Sequence, residues 1–121
     1  MVNLTFHERL KKIMDEYAQT AYALTNKFPR DEIYGIISQL RRAALSVILN
    51  YVEGYARRKL KVKLNFFEIS YASLKETKYL LYFSLKQNYI EHDEYKKAIG
   101  IADEIGAMLW RTIQGIEKEC N

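Results

Sequence analysis

The sequence predicts an all-α protein, an antiparallel up-down-up-down four-helix bundle that occupies residues 1–121 as a single domain. Apolar residues recur at the three- and four-residue spacing of helices along the whole chain, and no segment alternates strictly as a strand does. The 121 residues include 1 proline and 5 glycines, which leaves few places for turns. Helices that are joined by short turns run antiparallel to their neighbours.

The first two helices are predicted on either side of the proline. The first spans residues 6–27, and Pro29 ends it because a proline cannot continue the hydrogen-bond ladder. Its buried face is predicted to contain Leu10, Ile13, Tyr17, Ala21, Leu24 and Phe28. The second spans residues 30–55, with Asp31 and Glu32 at its positively polarised N-terminus. Its buried face is predicted to contain Ile33, Ile37, Leu40, Ala44, Val47, Tyr51 and Tyr55.

The third helix is predicted to be unusually apolar. It begins within the basic connection 56–63, ends near Lys86 and carries two neighbouring apolar stripes. One stripe contains Phe67, Tyr71, Leu74, Leu81 and Leu85, and the other contains Phe66, Ile69, Ser73, Leu80 and Phe83. A helix that is apolar on two faces buries both, against its own chain or against another copy.

The fourth helix follows a loop at residues 87–93, in which Asn88 is the predicted C-terminal residue of the third helix. Asp93 and Glu94 fall in its first turn, where negative charge stabilises a helix. A heptad-like apolar seam then runs from Tyr95 to Ile116. This seam is predicted to complete the core of the bundle.

The composition argues against a membrane or secreted protein. No segment has the roughly 20 consecutive apolar residues of a membrane-spanning helix. The first residues lack the long apolar core of a signal peptide. The single cysteine, Cys120, permits no internal disulfide, which is typical of a reducing compartment. We therefore expect a soluble, cytoplasmic protein with no membrane partner.

The sequence predicts no catalytic, metal or cofactor site. His7 and His92 are the only histidines, and neither stands in a metal-binding motif, so both are interpreted as polar surface residues. The serines lie within predicted helices without a histidine nearby, and the glycines are scattered instead of forming a phosphate-binding loop. We therefore expect that the protein is not an enzyme.

Positive charge is concentrated between residues 30 and 63. The whole chain has a net charge of +4, and this segment contains eight Lys and Arg against three Asp and Glu, whereas residues 92–121 contain four against six. Clustered cations bind phosphates, so this segment predicts a nucleic-acid partner. The candidate ligands are Arg41, Arg42, Arg57, Arg58, Lys59, Lys61 and Lys63. Nearby aromatic residues are candidates for stacking on unpaired bases: Tyr51, Tyr55, Phe66 and Phe67. The alternative is a solvated basic face with the aromatic side chains in the core.

Asn50 and Glu53 form a predicted polar pair. They are three residues apart and therefore share one face of the second helix, beside an apolar run. Such a half-buried pair either fixes the register of the bundle or begins a binding site. We favour the structural interpretation, because buried polar groups most often specify packing.

The 10 tyrosines favour a homo-oligomer. A tyrosine combines an apolar ring with a polar hydroxyl, and this combination is enriched at protein interfaces. The two apolar faces of the third helix indicate the same assembly, since one of them is available to another copy.

Motifs over residues 24–116 resemble those of a known family. They begin with Phe28-Pro29, Glu32, Tyr34-Gly35, Ser38-Gln39, Arg41-Arg42-Ala43-Ala44 and Ser46-Val47. They continue with Asn50-x-x-Glu53-Gly54-x-x-Arg57-Arg58, Ser73-Leu74-x-Glu76, Asn88-Tyr89-Ile90 and Asp103-Glu104-Ile105-Gly106-x-Met108-Leu109. The pattern resembles the four-helix-bundle family encoded in intervening sequences of bacterial 23S ribosomal RNA genes. All four candidate arginines, Arg41, Arg42, Arg57 and Arg58, match the family pattern, whereas Lys59, Lys61 and Lys63 are additions of this chain.

The resemblance implies an up-down-up-down bundle that assembles as a ring-shaped pentamer. It also implies a relation to the accessory protein of diversity-generating retroelements, a basic pentamer that binds a reverse transcriptase and nucleic acid. Two positions depart from the family. Ile48 replaces a proline, so we expect a straighter second helix. The single tryptophan, Trp110, lies in the fourth helix instead of the first.

Together these observations predict a non-catalytic, basic, homo-oligomeric binding module. The expected partner is RNA or another nucleic acid, or an RNA-handling enzyme such as a reverse transcriptase. The alternative is a protein-interaction scaffold without direct nucleic-acid binding, whose basic face steers an acidic protein surface.

Overall fold

The computed structural model describes residues 3–120 and confirms an all-α fold. The helices are α1 (Phe6–Thr25), α2 (Ile36–Ala56), α3 (Leu60–Lys86) and α4 (His92–Cys120), and a 3₁₀ helix (Arg30–Glu32) lies between α1 and α2. No strand occurs within residues 3–120. As predicted, α3 begins within the basic connection, and Asp93 and Glu94 lie in the first turn of α4.

The four helices pack in an up-down bundle. Each helix contacts its neighbours in sequence, and α1 also contacts α4, so that α2 and α4 are diagonally opposite. The N-terminus of α1, the α2–α3 turn and the C-terminus of α4 therefore lie at one end, which we call the α2–α3 end. The opposite end, the α3–α4 end, contains the start of α2. Because α2 and α4 are diagonal, the charge difference between residues 30–63 and 92–121 becomes a difference between two corners of the bundle.

The centre of the bundle is filled by the apolar stripes that the spacing predicted. Buried members include Leu10, Tyr17, Leu24, Leu40, Val47, Tyr51, Phe67, Leu74, Leu81, Ile105, Leu109 and Ile113. Each large apolar side chain that leaves water contributes about 1.5–3 kcal/mol to folding. All four helices contribute to this core, which holds them in one orientation.

One buried hydrogen bond crosses the core between diagonal helices. The hydroxyl of Tyr17 on α1 lies 2.6 Å from Oγ1 of Thr77 on α3. Thr77 donates its own proton to the carbonyl of Leu74 at 2.6 Å, so Tyr17 must be the donor to Thr77. Burial raises the pKa of Tyr17 to about 12, and the hydroxyl keeps the proton that this bond needs.

The prediction that the second helix begins at residue 30 is wrong. The residues after Pro29 form the 3₁₀ helix, whose hydrogen bonds reach back three residues instead of four. Gly35 then has φ −107° and ψ −116°, outside the helical region, so the α-helical ladder starts at Ile36. Asp31 and Glu32 consequently lie in the 3₁₀ helix and do not flank the N-terminus of α2.

Three residues that were placed on apolar helix faces are exposed in the structure. Tyr55 was assigned to the buried face of α2, but its side chain is 51% exposed because it lies in the last turn of the helix. Ile69 and Phe83, from the second apolar stripe of α3, also remain exposed. As predicted, α3 ends at Lys86, and Asn88, two residues later, lies in the left-handed conformation with a φ of 63°.

Candidate nucleic-acid interface

The seven basic residues predicted as nucleic-acid ligands lie in two separate groups. Arg41 and Arg42 are in the second turn of α2, near the α3–α4 end. The remaining five, Arg57, Arg58, Lys59, Lys61 and Lys63, surround the α2–α3 turn at the opposite end. Residues 42 and 57 are about 22 Å apart along the helix, at 1.5 Å per residue. The structure therefore does not form one surface from all seven side chains.

Arg41 joins α2 to the end of α1. Its Nε donates to Oγ1 of Thr25 at 2.8 Å, and its Nη2 donates to Oδ1 of Asn26 at 2.9 Å. The guanidinium also lies over the ring of Tyr22, 4.6 Å from its centroid. Thr25 is fully buried, and its hydroxyl donates to the carbonyl of Ala21 at 2.7 Å while it accepts the bond from Arg41. Arg41 is thus used by the fold.

Arg57 and Lys63 hold the end of α2 against the start of α3. Arg57 pairs with Glu53 one turn earlier, and its guanidinium lies 5.3 Å from the centroid of Phe66. Lys63 donates to the carbonyl of Tyr55 at 2.8 Å and approaches the preceding carbonyl at 3.3 Å. The last carbonyls of a helix have no partner in their own helix, and a lysine satisfies them favourably. Both cations therefore have structural partners.

Arg58, Lys59 and Lys61 are the basic residues of the turn that remain available, and we call them the turn site. All three are exposed, and none has a hydrogen bond or ion pair to another side chain within residues 3–120. A shallow depression of about 300 Å³ lies beside them, lined by Ala56, Arg57, Arg58, Lys59 and Val62. The turn site thus presents positive charge around a concave surface.

The start of α3 adds to the positive potential of the turn site. Its N-cap residue, Lys59, makes no side-chain hydrogen bond to the helix, and the first turn contains no acidic residue. The first N–H groups of α3 are therefore uncapped and point toward the turn, with the positive end of the helix dipole. Anions are attracted to such a helix start, and the flanking cations strengthen the attraction.

The aromatic residues near the turn do not support the predicted stacking on bases. Tyr51 and Phe67 are buried and stack on each other, with centroids 5.3 Å apart. The half-exposed ring of Tyr55 is stacked by His7 at 3.5 Å and an interplanar angle of 10°. Phe66 is half-buried, and the guanidinium of Arg57 lies over its ring. Each of these rings already packs against another side chain of the protein. The turn is therefore better suited to bind phosphates through its cations than to bind bases by stacking.

His7 is not the simple surface residue that the sequence indicated. Its side chain is half-buried, and Nδ1 lies 2.9 Å from the hydroxyl of Tyr51 on α2. Burial, followed by the charge of Lys11, lowers the pKa of His7, while Glu8 opposes this shift. Burial also raises the pKa of Tyr51 to about 12, so its hydroxyl remains protonated. His7 thus joins α1 to α2 beside the turn site.

The predicted polar pair separates into two sets of contacts. Asn50 donates from Nδ2 to the carbonyl of Ser46 at 2.9 Å and to its Oγ at 2.8 Å. Oγ of Ser46 lies 2.7 Å from Oγ of Ser73, which carries the network across to α3. Glu53 pairs with Arg57 instead. Asn50 and Glu53 therefore each have their own partner, and the contact of Asn50 continues to α3 through Ser46 and Ser73.

The described part of the chain contains no group of three or more His, Cys, Asp or Glu side chains that could hold a metal ion. Within the same residues, no helix is long and apolar enough to cross a membrane. Cys120 is a free thiol at the end of α4.

Comparisons with known proteins agree with the fold. A family model described as 23S rRNA-intervening sequence protein matches residues 9–111. A solved structure of a protein with unknown function from the S23 ribosomal protein family of Bacteroides thetaiotaomicron is 21% identical, with a TM-score of 0.80. The match covers 86% of this chain and 97% of that one, and at this identity it supports the fold alone. No curated protein matches the chain significantly.

Proposed function

The chain belongs to the 23S rRNA-intervening sequence protein family, and on this premise we propose that it is a non-catalytic, homo-oligomeric module that binds the phosphate backbone of RNA. The family's name refers to a sequence within ribosomal RNA, and we therefore propose RNA as the nucleic acid that the module binds. We place this activity in the cytoplasm, where the single cysteine stays reduced. In this function the module acts alone or assists an RNA-handling enzyme such as a reverse transcriptase.

The turn site is the observation that carries the proposal. Arg58, Lys59 and Lys61 are exposed cations without side-chain partners in residues 3–120, and they surround the uncapped start of α3. Neutralising phosphates releases counterions, which supplies affinity that does not depend on sequence. Three such contacts, repeated in each copy of a homo-oligomer, strengthen binding through multivalency.

Recognition through the backbone follows from the positions of the aromatic rings. Binding of single strands usually uses exposed aromatic side chains on which bases stack. Here Tyr55 is stacked by His7, and Tyr51 and Phe67 are buried. We therefore expect similar affinities for RNA homopolymers of different base, apart from differences in their own stacking.

The test compares two variants with equal loss of charge. The first replaces Arg58, Lys59 and Lys61 by glutamine, and the second replaces Lys86, Lys96 and Lys97, which are exposed at the α3–α4 end. The affinity of each for a structured RNA is measured by fluorescence anisotropy at physiological salt. The first variant should lose at least about tenfold in affinity, and the second should lose much less. The reason is that counterions are released by the cations that contact phosphates, so affinity depends on the number of these contacts and not on the net charge.

Equal losses in the two variants would contradict a localised site. No binding by the wild-type protein would favour the alternative, a protein-interaction scaffold. Tyr34, which is 94% exposed in the segment before α2, is a side chain that such a scaffold would present to a partner protein.

A further inference from the structure

Aromatic side chains line the solvent side of α3 and the adjoining side of α4. We call this surface the aromatic stripe, and its rings belong to Tyr71, Tyr79, Tyr82 and Phe83 on α3 and to Trp110 on α4. Tyr79 is 61% exposed, three of the other rings are also exposed, and Tyr71 is half-buried. Large apolar rings that stay in contact with water side by side are typical of a binding surface.

The spacing of the sequence places three of these rings and a lysine in one row. The row has intervals of four residues and contains Tyr71, Lys75, Tyr79 and Phe83. Residues at this interval form a continuous ridge on a helix, here about 18 Å long at 1.5 Å per residue. Nζ of Lys75 lies 5.2 Å from the centroid of the Tyr71 ring, and it forms no ion pair within residues 3–120. A free cation therefore lies between two groups of rings.

The rings on either side of Lys75 contact each other without covering each other. The centroids of Tyr71 and Trp110 are 5.4 Å apart, and this contact joins α3 to α4. Tyr79 lies 6.5 Å from Tyr82 and 6.4 Å from Phe83. All three pairs are tilted, by 40°, 42° and 44°. No ring of the stripe is covered face to face as the ring of Tyr55 is by His7, so a flat ligand can stack on them.

The charges around the aromatic stripe are favourable for a polyanion. Asp103 on α4 accepts a hydrogen bond from Nζ of Lys78 at 2.8 Å, which neutralises it. Glu76 lies on the α2 side of α3, where it lines a depression together with Arg42. Residues 75–86 contain three lysines and one glutamate. A negatively charged chain is therefore attracted to this side of the bundle.

The exposed apolar residues of the stripe are all aromatic, whereas the exposed aliphatic ones lie toward α2. Leu49 and Val52 are on α2, and Ile69 is one turn before Ser73, whose hydroxyl contacts α2. An aliphatic surface suits an apolar helix of another protein. Exposed rings beside a free cation are instead the combination with which proteins bind unpaired bases and the phosphates between them.

We propose that the aromatic stripe binds unpaired bases of single-stranded RNA by stacking. The inference rests on RNA as the ligand in the proposed function, and it adds a second surface to the phosphate contacts of the turn site. At about 3.4 Å per nucleotide, the ridge has room for about five nucleotides. Every base has a flat face, so stacking here does not select a sequence. It does select single strands, because the bases of a duplex are already stacked and paired.

The test compares loss of the rings with their retention in the full chain. Y79L/Y82L removes two exposed rings, and Y79F/Y82F keeps them. Affinities for an oligouridylate of about 12 nucleotides and for a fully paired RNA duplex are measured by fluorescence anisotropy over a salt series. Y79L/Y82L should weaken single-strand binding by at least about tenfold, and by the same factor at every salt concentration, because stacking releases no counterions. Y79F/Y82F should bind like the wild type, and the duplex should bind equally to all three proteins.

Trp110 gives an independent readout, because it is the single tryptophan of the chain. A base that stacks in the stripe should quench the fluorescence of Trp110, so the oligouridylate should quench it and the duplex should not. Y34L removes an exposed tyrosine outside the stripe and is the control, which should leave the affinity and the quenching unchanged. Circular dichroism checks that each variant remains helical.

Equal single-strand affinities of Y79L/Y82L and the wild type would overturn the inference. An equal loss of duplex binding would do the same, since paired bases cannot stack on the rings. A changed molecular mass of Y79L/Y82L in light scattering would assign the stripe to a protein contact instead. The turn-site variant separates the two proposals. A shallower salt slope in that variant with an unaffected Y79L/Y82L rejects the stripe alone, and parallel slopes with weakened binding by Y79L/Y82L reject the turn site alone.

Discussion

At the scale of single residues, the arginines Arg41 and Arg58 have opposite uses. Arg41 gives two hydrogen bonds to the end of α1 and covers a tyrosine ring, so its removal leaves the buried hydroxyl of Thr25 with one donor fewer. Arg58 is exposed and contacts no acidic side chain in residues 3–120. Arg41 therefore stabilises the fold, whereas Arg58 is available to bind a ligand.

The buried bond between Tyr17 and Thr77 gives a stability prediction. Y17F removes the donor at the centre of the core and leaves an acceptor of Thr77 without a partner. Loss of a buried hydrogen bond costs about 1 kcal/mol. In a chain of this length that corresponds to a Tm lower by about 4 °C. Thermal unfolding measures it, and Y79F, at an exposed tyrosine, is the control that should leave the Tm unchanged. Equal Tm values for Y17F and wild type would contradict the assigned role.

His7 gives a prediction about pH. Because its pKa is lowered in the folded protein, the unfolded chain takes up a proton first as the pH falls below 6.5. The free energy of unfolding should therefore decrease through this range and level off once folded His7 is also protonated. H7F keeps the ring beside Tyr55 and should lack this decrease. Glu8 and Glu94 have pKa values lowered from 4.5, so their contributions are lost only at lower pH.

A decrease of the same size in H7F and wild type, measured by denaturant unfolding between pH 7 and pH 5, would assign the effect to another group. Lys11 and Glu8 face His7 from its own helix, and Tyr51 and Tyr55 face it from α2. Tyr51 does not titrate in this range, because burial raises the pKa of its hydroxyl to about 12.

Residue types and spacing identified the basic residues, but they could not show which of these side chains bind within the protein and which are free to bind a ligand. The partners of Arg41 are 15 and 16 residues away in sequence, and the hydroxyl beside His7 belongs to a residue 44 positions away. Such contacts exist only after the helices have packed. The spacing of charges therefore predicted where a ligand could bind, while the bundle decides which side chains are free to bind it.

At the scale of the elements, the contact between α2 and α3 is close because of Gly54. A Cβ at this position would lie 2.7 Å from Cε1 of Phe67 and 3.0 Å from Cβ of Phe66. Phe67 is buried and stacked on Tyr51, so its ring has little room to move. The glycine lets the last turn of α2 approach the first turns of α3, and it thereby positions the turn at residues 57–59 and the start of α3, which together carry the turn site.

Gly54 and Gly100 give a pair of predictions of opposite sign. G54A forces the buried ring of Phe67 to shift, at a cost of about 1–3 kcal/mol that exceeds the gain of up to about 1 kcal/mol in helix propensity. Gly100 lies in α4, and a Cβ added there would have no atom from another part of the protein within 4 Å. G100A should therefore stabilise the protein by about 0.5–1 kcal/mol, because alanine has the higher helix propensity. Denaturant unfolding measures both. A stabilised G54A would show that the α2–α3 contact is looser than the structure indicates.

The helices themselves were largely predictable, whereas one boundary was not. Long apolar stripes such as that of α4 determine both the type and the face of a helix, because a shift of one residue would expose them. The start of α2 depends on the 3₁₀ turn after Pro29 and on the non-helical ψ of Gly35. Neither alters the apolar spacing, so periodicity alone extended the helix back to residue 30.

At the scale of the whole molecule, the proposed phosphate-binding surface lies at one end of the bundle. The turn site is at the α2–α3 end, and the net negative α4 is diagonal to α2. A homo-oligomer that leaves each turn exposed would repeat the turn site in every copy. Several weak phosphate contacts would then act together on one RNA.

The salt dependence of RNA binding tests the central claim most directly. The logarithm of the association constant is measured against the logarithm of salt concentration for the wild type and for the variant with glutamine at Arg58, Lys59 and Lys61. Each lost phosphate contact reduces the slope by about 0.7–0.9, so three contacts in one copy should make the variant's slope shallower by about 2–3. Parallel lines for the two proteins would contradict backbone binding at the α2–α3 turn.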